Sequence, residues 1–177
     1  MTSLSRRVAG SALAGAATGA RSFTGLAALT LATRPGASTQ PDRVLGRPWV
    51  KVIAGLAGAQ EYALDKLPSG PSRLAPPGLA SRLAGAAGSG VIIARRDPGQ
   101  PGEPDGPGAP ATPAETGSCA AAAVTAALAT AWLGLHWRGW AAAQFGHAWI
   151  GAVLEDLTTL ALAATAVTIL DPARAKA

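Results

Sequence analysis

The 177-residue chain has room for one domain or a small helical bundle, yet only 14% of it is charged while 49% is apolar. About a quarter of it is alanine and 5% is aromatic, a mixture too poor in large apolar side chains for an ordinary water-soluble core, which argues against a soluble enzyme. The net charge of +5 would suggest nucleic acid in a soluble domain, but the basic residues sit beside apolar runs, as at Arg6-Arg7, Arg95-Arg96 and Arg174, where lipid head groups and not nucleic acid are the expected partner.

Five apolar segments follow one another, each predicted to be helical. The first, residues 8–32, is long enough to cross a hydrocarbon layer of ~30 Å and has one interruption, at Arg21. Its apolar run continues through Phe23 to Ala32, which fits a retained helix better than a cleaved export signal. The second, 49–67, has a short uncharged centre before Glu61, Asp65 and Lys66 and stops at Pro68, so only a partial crossing is expected. The third, 79–94, follows Arg82 with a short uncharged run and ends at Arg95-Arg96, a length that suits a half-helix or re-entrant segment.

A Pro/Gly-rich stretch, 97–117, comes next, with proline at every third position from Pro98 to Pro113. It reads as a disordered linker between an amino-terminal membrane part (1–96) and a carboxyl-terminal one (118–177). The fourth segment, 118–137, is the clearest span; it is free of charge through Leu135, and Trp132, Trp137 and Trp140 suit an interface. The fifth, 147–170, is also long enough but contains Glu155 and Asp156, and Asp171-Pro172 stops it. The expected fold is all-α, a multi-pass transmembrane helical bundle with short or broken helices. Threading five crossings through the membrane divides Lys and Arg almost evenly between its two sides, so charge does not set an orientation.

Ionisable groups inside apolar segments are the informative feature. An arginine at a helix centre costs ~2.5–3.5 kcal/mol on insertion scales, while each Leu, Val or Phe returns only ~0.3–0.6. Arg21 thus nearly cancels the driving force of its own segment, and a partner is expected: Arg21 or Arg82 pairing with Glu155 or Asp156. Glu61 and Asp65, four residues apart on one helix face, either share a proton or a cation, with Lys66 and Arg73 near enough in sequence to balance them, or belong to an amphipathic surface helix and face water. Glu155 and Asp156 diverge by about 100° on a helix, so one faces the bundle and the other a neighbour or a helix end.

Gly15 and Gly19, with the small residues from Ala84 to Gly90, permit close helix contacts and would also serve a homo-oligomer. No enzyme is expected, and no cofactor or metal site: Gly85 to Gly90 matches neither a dinucleotide fingerprint nor a phosphate loop. His136 and His147 are too far apart for one helical metal face. The lone cysteine, Cys119, excludes an intramolecular disulfide.

Four stretches carry a resemblance: Gly19 to Thr24 (GARSFT), Glu61 to Pro68 (EYALDKLP), Ser72 to Arg82 around Pro76-Pro77-Gly78, and Val153 to Asp156 (VLED). They resemble the bacterial membrane proteins grouped as domain-of-unknown-function family 4126, over most of the chain apart from the proline stretch. The resemblance implies a multi-pass helical protein of the bacterial cytoplasmic membrane and brings no established activity. The expected working residues are Arg21, Ser22, Glu61, Asp65, Lys66, Arg73, Arg82, Glu155 and Asp156, in a small transporter or channel-like protein that binds a substrate or ion. The alternative is a structural or accessory membrane protein whose buried charges only lock helix packing.

Overall fold

Alanine is the best helix former, and where proline falls at the first position of a segment it starts a helix rather than breaking one. The structure, a computed structural model, describes residues 3–37, 40–64, 76–96 and 111–171. Its regular elements are all helices: α1 (Ser3–Ala20), α2 (Thr24–Ala32), α3 (Asp42–Leu45), α4 (Pro48–Leu64), α5 (Pro76–Arg95), α6 (Pro113–Phe145) and α7 (Ala148–Leu170). Three of them begin on proline, at Pro48, Pro76 and Pro113.

The first apolar segment is not the single crossing expected over 8–32. It breaks at Arg21-Ser22-Phe23, and α2 turns back along α1, so that Gly25 lies against the Ala14 carbonyl and Thr18. A three-residue turn between antiparallel helices makes 3–32 a helical hairpin. Beyond it the chain alternates in direction. Lys51, early in α4, lies beside the end of α2, and Glu61, late in α4, reaches the hairpin turn. Arg82, early in α5, also reaches the turn, and Arg96, just past its end, meets Arg7 and Leu29. On α6, Cys119 is beside Gly90 and Thr130 beside Gly19. On α7, Asp156 is beside Arg21 and Leu170 beside Gly10.

Two of the long helices locate the hairpin turn independently. At 1.5 Å per residue, Thr130 lies about 18 Å along α6 from Ser118, and Asp156 lies about 21 Å along α7 from Leu170. The turn is therefore inside the bundle, and α6 and α7 run on past it towards Trp140 and Trp149.

Packing around α1 depends on small side chains. A Cβ at Gly15 would sit 2.1 Å from the Ala123 carbonyl oxygen, one at Gly19 2.2 Å from that of Ala127, and one at Gly90 2.6 Å from that of Cys119. Cys119, Ala123, Ala127 and Ala131 repeat every fourth residue on the buried face of α6, so α1 and α5 settle on a continuous strip of small side chains. Thr130 Oγ1 adds a 2.9 Å hydrogen bond to the Ala16 carbonyl across the α1–α6 seam.

Side-chain size runs opposite to the soluble pattern. Twelve of the buried apolar side chains are alanine, and the only large ones among the described residues are Leu29 and Ile93. Outward-facing positions carry Trp49, Val52, Ile53 and Leu56 on α4, Trp132, Leu133 and Trp140 on α6, and Trp149, Leu154 and Leu157 on α7, with Leu56 65% and Trp149 64% exposed. Two helices, Pro113–Phe145 and Trp149–Leu170, are long and apolar enough to cross a membrane by length and composition.

The start of α6 corrects the linker boundary at 117. Thr112 accepts a hydrogen bond from the Glu115 N–H (3.2 Å), and the Glu115 carboxylate accepts one from the Thr112 N–H (2.8 Å). This reciprocal box, with Pro113 at the first helical position, begins the helix inside the Pro/Gly stretch; residues 97–110 lie outside the described residues. At its other end α6 stops on Gly146, whose φ of 65° lies in the left-handed region that favours glycine. Thr112→Ala is expected to lose about 1 kcal/mol and to speed amide exchange at residues 114–116, read by mass spectrometry in detergent.

Candidate site at the hairpin turn

A broken helix leaves carbonyls at one cut end and N–H groups at the other, and inside an apolar bundle these need partners. Charged side chains from two other helices supply them. Glu61 of α4 accepts from the Ser22 N–H at 2.5 Å and from the Phe23 N–H at 3.0 Å, which places a carboxylate at the positive end of α2. Arg82 of α5 donates through Nη1 to the Gly19 carbonyl at 2.6 Å, and its Nη2 is 3.9 Å from Glu61 Oε1. The far end of α2 is capped by cations: Arg96 donates to the Leu29 carbonyl at 2.8 Å, and Lys51 donates to the Leu31 carbonyl at 3.2 Å and to the Thr33 carbonyl. This nine-residue helix has its dipole answered at both ends.

Arg21 stands in the turn itself and is 1% exposed. It donates through Nε at 3.1 Å and through Nη2 to the same oxygen of Asp156, Oδ1, and its guanidinium lies 5.0 Å from the centre of the Tyr62 ring. Thr24 Oγ1 is 3.4 Å from the Tyr62 hydroxyl and ties that ring to the start of α2. Two guanidinium groups and two carboxylates thus meet around one turn, where the field of each is only weakly screened.

Of the sequence-predicted site residues, Arg21, Ser22, Glu61, Arg82 and Asp156 come together. Asp65, Lys66 and Arg73 lie outside the described residues, so the pairing of Glu61 with Asp65 falls there too. Glu155 leaves the cluster. It is buried and binds Arg138 Nε at 3.1 Å, across the turn between α6 and α7. Arg138 is the ion-pair partner that sequence reading passed over; its signal is its position 17 residues before Glu155 with a glycine turn between, which sets the two on facing helices. His136 and His147 are exposed and apart in role, His136 stacking on Trp132 with ring centres 4.2 Å apart. Among the described residues no three His, Cys, Asp or Glu side chains converge in a metal-binding group.

Removing the Glu61 carboxylate strands two N–H groups and takes an acidic neighbour from Arg82. Glu61→Ala is expected to lower stability by about 2 kcal/mol. Glu61→Gln keeps an acceptor and should lose less. Thermal unfolding of the purified variants in detergent checks that order.

Comparison of the chain with protein-family models, with curated proteins and with solved structures returns no match.

Proposed function

We propose that this chain is a multi-pass helical protein of the bacterial cytoplasmic membrane, of the kind it resembles, and that it works as a small transporter or channel-like protein. In this reading Glu61 and Asp156 handle a proton or cation, and Arg21 and Arg82 an anionic group. The membrane part rests on one observation, the inverted packing, with alanine, glycine and paired charges inside and tryptophan and leucine outside. Dimensions agree with it. Ser118 and Trp140 are about 33 Å apart along α6, against a hydrocarbon layer of ~30 Å. The exposed rings of Trp140, Phe145 and Trp149 gather at one end, as interfacial aromatics do.

Transport is favoured by the kind of site rather than by a bound substrate. Ionisable groups at the depth of the hairpin turn, beside a helix that stops inside the bundle, are the arrangement that ion and proton paths use. The test is flux. In liposomes with an entrapped pH-sensitive dye, the wild-type protein should dissipate an imposed pH gradient faster than protein-free vesicles, and Glu61→Gln should abolish the difference.

One observation favours a second reading, a structural or accessory membrane protein. Each carboxylate of the cluster already holds a partner within the chain. If wild-type vesicles leak no faster than empty ones while Glu61→Gln still lowers stability, the charges serve to lock the helices.

A further inference from the structure

One end of the bundle carries all of the net charge of the described residues. Arg6 and Arg7 stand in the first turns of α1, Arg43 and Arg47 in and after α3, and Arg95 and Arg96 close α5, with Arg34 and Lys51 between them; against these eight stand Asp42, Glu115 and Asp171. The remaining charged residues described, Arg21, Glu61, Arg82, Arg138, Glu155 and Asp156, are three of each sign and cancel. Contacts hold the basic end together: Arg7 Nη2 donates to the Arg96 carbonyl at 3.3 Å, Arg96 Nε to Asp42 at 2.9 Å, and Arg34 lies 3.7 Å from Asp171.

The hairpin is what gathers these charges. Were 8–32 a single crossing, Arg34, Arg43 and Arg47 would lie on the side opposite Arg6 and Arg7. Because α2 turns back at Ser22, they return to the same side. The stretch 65–75, outside the described residues, joins α4 to α5 and contains Lys66 and Arg73. Outside the turn cluster, Arg138 is the one cation of the described residues towards the other end, against eight here. Positive charge flanking apolar helices is retained in the cytoplasm, where the leaflet is anionic. Arg43, Arg47 and Arg95 are exposed, and none of them makes an ion pair with another described residue.

We propose that the basic end of the bundle lies on the cytoplasmic side, seated among anionic phospholipid head groups, with α1–α2 a re-entrant hairpin entered from the cytoplasm. This rests on the membrane reading above and goes beyond it. The aromatic end, with Trp140 and Trp149, then faces outward, and the hairpin turn with its charged cluster is nearer to that face.

Two positions on one helix test it in the full-length protein. With Cys119→Ala as background, Ala114→Cys and Gln144→Cys place single thiols at the exposed ends of α6, about 45 Å apart. In intact cells a membrane-impermeant maleimide should label Gln144→Cys, and Ala114→Cys should react only after the membrane is permeabilised. The reverse pattern, or equal labelling of both before permeabilisation, overturns the orientation. Recovery of the protein in the supernatant of an alkaline membrane wash overturns the membrane reading itself and is distinguished by that fractionation. Combining Arg43→Glu, Arg47→Glu and Arg95→Glu should cut labelling at position 144 at least twofold and raise it at 114. An unchanged pattern in that variant, with its thermal unfolding in detergent intact, overturns the role given to the basic end.

Discussion

Asp156→Leu is expected to destabilise the protein by about 3–5 kcal/mol, and Arg21→Met in the same chain to recover most of that loss. A guanidinium that is 1% exposed has left its water behind, and among the described residues the Asp156 carboxylate and the Tyr62 ring face its charge. Deleting the carboxylate takes from a buried cation the acid that binds it through two N–H groups. Deleting both charges replaces a pair whose desolvation offsets most of its attraction with side chains that need neither partner nor water. A double-mutant cycle, measured by SDS unfolding in mixed micelles, should return a large coupling between the two positions. Additive losses would show that each side chain acts through other neighbours. The charge-reversed pair, Arg21→Asp with Asp156→Arg, should fold better than either reversal alone if position matters less than complementarity.

The same residues show what could be read from the chain beforehand. Arg21 announced itself because its insertion cost nearly equals the apolar drive of its segment, and a buried charge needs a nearby opposite one; the structure supplies Asp156. The break at 21–23 was not legible. Phe23 to Ala32 continues the apolar pattern of 8–20, and what divides them is a carboxylate about forty positions away that captures the Ser22 and Phe23 N–H groups. Local pattern holds no trace of that contact. The pairing of Glu61 with Asp65 lies outside the described residues, and the partners described for Glu61 come from α5 and the turn, at separations that helical spacing does not reveal. At α6 the signal was present and overlooked: Thr112-Pro113-Ala114-Glu115 is a capping box, and the proline repeat around it suggested only a linker. Orientation became readable once the hairpin was known, because folding 24–32 back transfers three arginines from one side to the other.

Gly15→Ala is the smallest change expected to have a large effect, about 3 kcal/mol or more, since one methyl must fit where none does. Its Cβ would stand 2.1 Å from the Ala123 carbonyl oxygen and 2.5 Å from the Ala123 Cα. Both are backbone atoms of a long helix, so neither can swing aside as a flexible side chain would. Relief requires α1 to move away from α6. That motion would lengthen the Thr130–Ala16 hydrogen bond and draw Arg21, one residue past the end of α1, away from Asp156. The loss should thus exceed the overpacking term alone. Gly88→Ala on α5 is the control: nothing lies within 4 Å of the added Cβ, and alanine's better helix propensity should stabilise by about 0.5–1 kcal/mol. Equilibrium unfolding of the two variants in the same micelles decides the matter. If both behave alike, the α1–α6 seam is not held at backbone contact, and the route from glycine packing to the position of Arg21 fails with it.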